Sequence, residues 1–140
     1  MGAELYVATI HNAATKEHEM SSKDWFTSIV SKGGYFRDPY NEMNVLATLG
    51  MDWRKDVVPL CTKKKVELKG ENLKLFRKRM ATAKQQIPST KELGAPGVLM
   101  TDYGITRMKE WRRYFLERRA ELLEFLDRAI KLKSPIYCSF

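Results

Sequence analysis

Cysteine and histidine are both scarce in this chain, two of each in 140 residues, and their placement removes most of the chemistry they could support. Cys61 and Cys138 lie far apart and no Cys-x-x-Cys pair exists, so in a reducing compartment both are expected to stay as free thiols. His11 and His18 lack the i, i+4 spacing of a helical metal pair, so neither a metal site nor a cofactor is expected. Also missing are a Gly-x-x-x-x-Gly-Lys phosphate loop, a Gly-x-Gly-x-x-Gly turn and a nucleophile elbow. No catalytic residue is assigned, and an enzyme would have to work through Asp38, His11 or Cys61 outside any such motif. Apolar runs fall far short of the ~20 residues of a membrane span. The start, Met1 to Val7, has no basic region ahead of an apolar stretch and carries Glu4, which argues against a secretory signal and for a cytoplasmic location.

What remains is a composition of 44% apolar and 30% charged residues, that of a soluble globular protein, in a length that fits one domain over 1–140. The net charge of +8 is unevenly distributed. Residues 54–84 hold 11 Lys and Arg against 3 Asp and Glu, whereas residues 1–53 hold 4 against 7. Such clustering points to an anionic partner: nucleic acid, a phosphorylated small molecule or an acidic protein surface. A solvated basic face that only keeps the chain soluble is the plainer alternative.

The hydrophobic pattern predicts a mainly α fold, a helical domain with a short N-terminal strand and room for a small sheet that would make it α+β. Leu5 to Ile10 reads as the strand and the polar stretch His11 to Glu19 as a loop or frayed helix. Ser21 with Asp24 resembles a capping box ahead of Trp25, Phe26, Ile29 and Val30, and Gly33-Gly34 ends that helix. Pro39 suits the first turn of a further helix through Met43, Val45, Leu46 and Leu49, capped by Asp38 at one end and Gly50 at the other. Met51 to Leu60 reads as a short helix. Leu73, Phe76, Met80, Ala83 and Ile87 give an amphipathic helix over 72–86 with Lys74, Arg77, Lys78 and Lys84 opposite. Pro88 to Gly104 reads as a long loop with a short strand at Val98 to Met100. Thr106 caps a last helix running to about Lys131, after which Pro135 and Ile136 to Phe140 supply a final strand or tuck under the core.

The stretch with more polar chemistry than a turn requires is Tyr35-Phe36-Arg37-Asp38-Pro39-Tyr40-Asn41. On the last helix, Arg112 and Arg119 fall near the apolar arc of Met108, Trp111, Phe115, Leu122 and Leu126 rather than with the acidic side. An arginine there needs an anion, supplied by the chain, for example by Asp38 or Asp102, or by a ligand, unless its long stem snorkels to the surface. If Arg37, Arg112 and Arg119 converge, their planar forks suit a phosphate better than lysines would. Tyr35, Phe36, Tyr40, Trp53, Tyr103 and Trp111 offer aromatic surface for a base, although aromatics at helical spacing usually form core.

These segments resemble a small family of uncharacterised phage and prophage proteins that open Met-Gly-Ala-Asp-Leu-Tyr and carry Gly-Tyr-Phe-Arg-Asp-Ser-Tyr-Asn and Leu-Gly-Leu-Ser-Trp-Trp. The corresponding text is Met1 to Tyr6, Gly34 to Asn41 and Leu49 to Trp53, with Glu4, Pro39 and Met51-Asp52-Trp53-Arg54 as departures. The resemblance implies no activity. It implies a phage setting within a bacterial host cell, where small proteins without catalytic motifs act by binding. The leading expectation is therefore a non-enzymatic binder of a phosphate-bearing nucleotide, acting as a sponge for a host immune signal. Its ligand residues would be Tyr35, Arg37, Asp38, Tyr40, Asn41, Arg112 and Arg119, in a monomer or a homo-oligomer. The alternatives are a basic nucleic-acid-binding module on the faces of 63–84 and 107–133, or a protein inhibitor of a host defence enzyme.

Overall fold

Polar residues alternate with small or apolar ones along Gly2–Val7, the period of a strand that buries one face: Ala3, Leu5 and Val7 are buried, while Glu4 and Tyr6 turn the other way. The computed structural model describes residues 2–40, 44–87 and 108–140. This first strand, β1, lies inside a four-stranded antiparallel sheet of order β2-β1-β4-β3. The other strands are β2 (Tyr35–Pro39), β3 (Glu67–Leu68) and β4 (Ile136–Ser139). The mainly α expectation is thus corrected: the fold is α+β, and the sheet is central to it. Helical periodicity dominates the sequence by length, but β1 is paired along its length by β2, some thirty residues on, and by β4 at the carboxyl end, a pairing that no local pattern encodes.

The predicted strand over Leu5 to Ile10 also ends early, because helix α1 (Ala8–Glu17) starts directly after Val7. Its N-cap position, Val7, offers no side-chain acceptor. The first donors of the helix are met instead from the far end of the chain: Ala8 N–H donates to Pro135 O at 2.9 Å and Thr9 N–H to Ser134 Oγ at 3.0 Å. The polar stretch read as a loop therefore folds as a helix buried through Ala8, Ile10 and Ala14.

Helix α2 (Lys23–Ser31) is capped by Ser22, one residue later than the spacing suggested, with Trp25 N–H donating to its Oγ at 3.2 Å. It stops at the double glycine as expected. Gly33 takes a left-handed φ of +69°, its N–H donates to Val30 O and that of Gly34 to Ile29 O, which closes the last carbonyls of the helix. A side chain on Gly34 would meet Ile10 Cγ2 at 2.6 Å. Helix α3 is short (Val45–Thr48), and Gly50 closes it in the same way. Pro39 belongs to β2 rather than to the first turn of that helix. Met51 to Leu60 is one wide π-helical turn, Trp53–Val57, followed by a 3-10 turn, Val58–Leu60, instead of a regular helix.

Helices α4 (Gly70–Thr82) and α5 (Met108–Lys131) pack together over the buried sheet face. Leu73, Phe76 and Met80 from α4 and Leu122, Phe125, Leu126 and Ala129 from α5 join Leu5, Phe36, Leu68 and Ile136 in one core. The proposed strand at Val98 to Met100, the loop around it and the cap at Thr106 lie outside the described residues. Among the described residues no helix is long and apolar enough to cross a membrane.

Both sheet edges are closed, that of β2 by side chains and that of β3 by Thr62, as edges open to pairing invite aggregation. Along β2, Arg118 donates to Arg37 O, Arg128 Nη1 to Gly33 O at 2.9 Å, and Asn44 Nδ2 to Pro39 O. Along β3, Glu67 N–H donates to Thr62 Oγ1 at 3.1 Å and Glu67 O accepts from Thr62 N–H at 2.9 Å.

Candidate functional site

The residues expected to gather around a phosphate are dispersed. Asp38 is fully buried: Val45 N–H donates to its Oδ1 at 2.9 Å, and Leu46 N–H and Trp53 Nε1–H donate to its Oδ2 at 3.2 and 2.7 Å. It does cap a helix, but from seven residues upstream, and it takes no guanidinium in a hydrogen bond or ion pair among the described residues. Burial pushes its carboxyl above the usual aspartate range, against the pull of these three donors and of Arg118 nearby.

Arg119 is half-buried and already satisfied. Its guanidinium donates to Met80 O, Ala81 O and Ala83 O at 2.7–3.1 Å, capping the carboxyl end of α4 where unpaired carbonyls and the helix dipole favour a cation. The anion demanded by an arginine near the apolar arc is thus a set of backbone oxygens, a partner outside the carboxylate-or-phosphate choice. Replacing Arg119 by alanine is expected to cost about 2 kcal/mol. Arg119→Lys should recover less than half of that, since one ammonium cannot span three carbonyls. Urea-unfolding midpoints of the two variants check this.

Arg112 is exposed on α5. Tyr40 carries the Arg54 guanidinium over its ring at 4.6 Å, and among the described residues its buried hydroxyl has no hydrogen-bond partner. Asn41, Asp102 and Tyr103 lie outside the described residues. Two members of the expected set do come together: Tyr35 and Arg37, two apart on β2, share the sheet face opposite the core.

That face carries a row of tyrosines. Register places Tyr35 beside Tyr6 and Tyr6 beside Tyr137, three half-buried rings on three neighbouring strands, with Glu67 next to Tyr137. A second row along the same face runs Arg37, Glu4, Ser139. At one end the α1–α2 hairpin adds His11, Trp25 and Phe26. His11 meets Tyr6 and Tyr137 edge-on at ring separations of 5.4 and 5.1 Å, and Phe26 meets Tyr35 at 4.9 Å. These contacts fasten the hairpin to the sheet; Phe26 itself stays 39% exposed.

The polar groups of the face are pinned. Tyr35 Oη donates to Glu4 Oε1 at 2.7 Å and Tyr137 Oη to Asn12 Oδ1 at 3.2 Å. Burial, and then the neighbouring Glu4 carboxylate, push both Tyr6 and Tyr35 above the ordinary phenol range, so both phenols stay neutral at any physiological pH.

Cations flank the tyrosine row at both edges. Exposed Arg37 sits on β2, beside a groove of about 340 Å³ also lined by Tyr35, by Arg118 and Arg128, and by Glu121 and Glu124, which pair with those two arginines at 2.7 and 3.1 Å. On the far edge, the exposed Lys63-Lys64-Lys65 turn leads into β3 and Lys69 follows it. The basic outer surfaces of α4 and α5, with Lys74, Lys78, Arg113 and Lys131, belong to the other layer. Among the described residues no group of three or more His, Cys, Asp or Glu side chains is arranged to hold a metal ion.

Tyr6 and Tyr137 were missed as site residues because each reads alone as one aromatic in a short apolar run. The polar phase of the alternation in Gly2–Val7 and Ile136–Ser139 is the signal that marks them as facing away from the core. No protein-family model matches the chain, and no curated protein or solved structure matches it.

Proposed function

We propose that this protein is a non-enzymatic binder of single-stranded nucleic acid, with unpaired bases stacked on Tyr35, Tyr6 and Tyr137 and phosphates met by Arg37 and by the lysines at the β3 edge. The observation that carries this reading is the cross-strand tyrosine row on the face turned away from the core, with a cation at either edge. Neighbouring strands stand 4.7–4.9 Å apart, so the row spans about 10 Å, more stacking surface than one base covers. Aromatic rings plus cations hold unpaired bases whatever their sequence, since every base has a flat face. The basic excess of the chain supplies long-range attraction to the same polymer.

A single phosphate-bearing nucleotide would use the same stacking chemistry, with Tyr35 and Arg37 as its contacts. Arg112 and Arg119 lie apart from Arg37, and the two arginines that share its groove, Arg118 and Arg128, are each paired with a glutamate, which favours the polymer.

Fluorescence anisotropy with labelled oligonucleotides of about 10 nucleotides tests the proposal. Single strands should bind in preference to duplex, with affinity falling steeply as salt rises. Tyr35→Ala and Tyr137→Ala should each weaken binding by about 5- to 150-fold, the 1–3 kcal/mol of one stacked base. Arg37→Ala should weaken all sequences alike and lower the salt slope by about 1. Affinity indifferent to both tyrosine changes, or equal binding of duplex, rules the reading out. A melting shift with free nucleotides and none with oligonucleotides would transfer the site to the mononucleotide.

A further inference from the structure

An acidic residue stands inside the face to which nucleic acid is assigned above. Glu4 projects half-buried from the inner strand β1, opposite Arg37 of β2 and Ser139 of β4. Its Oε1 accepts from Tyr35 Oη at 2.7 Å. Among the described residues its Oε2 accepts no hydrogen bond, and neither oxygen forms an ion pair, with Arg37 or any other cation. Glu67, the carboxylate at the far end of the tyrosine row, is by contrast answered by Lys69 at 3.9 Å. A carboxylate in this place repels phosphate, so a platform indifferent to sequence would gain from a neutral residue. Holding the Tyr35 hydroxyl requires an acceptor but no charge: on the same face the Tyr137 hydroxyl is held by the neutral amide oxygen of Asn12 at 3.2 Å.

We propose that Glu4 makes the tyrosine face selective for guanine among unpaired bases, its carboxylate accepting from N1–H and N2–H of a guanine stacked on Tyr35. The inference rests on the single-strand reading and names the base which that site prefers. A base lying over the Tyr35 ring brings its edge towards the hydroxyl end, and that end is 2.7 Å from Glu4 Oε1.

Guanine alone among the common bases carries two adjacent N–H donors on its Watson–Crick edge, a match for the two oxygens of a carboxylate. Glu4 Oε2 is free for one of them, and Oε1 keeps acceptor capacity for the other after its bond from Tyr35. Two charge-assisted bonds in parallel are strong and directional. Adenine and cytosine present one amino group beside a ring nitrogen whose lone pair the carboxylate repels. Uracil and thymine present one N–H between two carbonyl oxygens, which are repelled in the same way. Arg37 stays on phosphate, so the two neighbours divide the work: the cation holds the backbone and the anion reads the base.

The test measures anisotropy of labelled oligothymidylate of about 10 nucleotides, plain or carrying isolated guanines that cannot form quadruplexes. Wild type should bind the guanine-bearing strand about tenfold more tightly, the discrimination of one bidentate pair. Inosine in place of guanine lacks the N2 amino group and should lose most of that gain, whereas 7-deazaguanine, whose Watson–Crick edge is intact, should keep it. Glu4→Gln retains an acceptor for Tyr35 Oη. It should bind both strands alike, and the plain strand about twofold more tightly than wild type does, since a like charge is gone. Equal wild-type affinity for the two strands, or a preference that survives inosine or Glu4→Gln, overturns the inference and leaves the single-strand reading standing. A uniform loss of binding to both strands in Glu4→Gln, with their ratio unchanged, also overturns it and reduces Glu4 to a support for Tyr35. Failure of every strand to bind wild type overturns the single-strand reading and this inference with it. The wild-type arms with inosine and 7-deazaguanine decide by themselves should Glu4→Gln fail to fold.

Discussion

Replacing Asp38 by alanine is expected to remove about 4 kcal/mol of folding stability, a large share of the 5–15 kcal/mol typical of a domain. Three donors lose their acceptor at once: Val45 N–H, Leu46 N–H and Trp53 Nε1–H, all directed at a fully buried carboxylate. Each orphaned donor costs about 1–3 kcal/mol, less than additively because the cavity lets them relax. Asn at this position should be less damaging, since with its Oδ1 turned to Leu46 N–H and Trp53 Nε1–H its NH2 opposes only Val45 N–H, donor against donor. The pH dependence gives a second reading of the same group. Burial raises the folded-state pKa of Asp38 above its unfolded value, so the stability it contributes is fully present below about pH 3.9 and is lost as pH rises through the raised value. Wild type should lose stability across that window, and Asp38→Asn, which does not titrate, should lack that component. Urea midpoints measured at several pH values between 4 and 7 check both statements. A fall of under 1 kcal/mol for alanine would mean that the α3 cap is carried by Asn44, whose Oδ1 accepts from Ala47 N–H at 3.0 Å.

Local chemistry in the sequence placed the glycine stops of α2 and α3 but not the helix starts, since the cap of α2 is Ser22 rather than Ser21 and Pro39 lies in β2. Gly33-Gly34 and Gly50 do what their residue type allows, because left-handed turns depend on a few adjacent atoms. The sheet was not legible in the same way. β3 has only two residues and no apolar run to announce it, and β2 lies in the aromatic heptad whose alternation, Phe36 and Asp38 inward, Tyr35 and Arg37 outward, is masked by a buried carboxylate in a core position. The same carboxylate misled the site reading. Asp38 and Arg37 look like a paired polar couple in sequence, yet strand geometry sends neighbours to opposite faces, one into the core as a helix cap and the other into solvent. Arg119 shows a second limit. A helical wheel correctly places it beside the apolar arc and correctly demands a partner, but the wheel cannot supply the carboxyl end of α4, which arrives from far along the chain. Both errors have one source: the partner of a buried charge is set by tertiary contact, and only the need for it is local.

Trp53→Ala should cost about 3–5 kcal/mol, matching Asp38→Ala through a different mixture of terms. The indole is 1% exposed and lies between Phe76 and Phe140, at ring separations of 5.7 and 6.1 Å, so truncation opens a cavity where the 53–57 turn, α4 and the end of β4 meet. Trp53→Phe separates the two contributions. It keeps most of the apolar volume but removes the Nε1–H donor, leaving Asp38 Oδ2 with Leu46 N–H alone, and should cost about 1.5–3 kcal/mol. If the hydrogen bond to the carboxylate matters as much as the packing, Trp53→Phe and Asp38→Ala will not add. The pair should then fall short of the sum of the single changes by at least about 1 kcal/mol, because each single change already removes the shared bond. Additivity to within about 0.5 kcal/mol would instead assign Trp53 to packing alone. In that case the penalty of losing Asp38 would rest on the two backbone donors of α3, and the segment from Asp38 to Trp53 would be held by its apolar contacts rather than by the carboxylate at its centre.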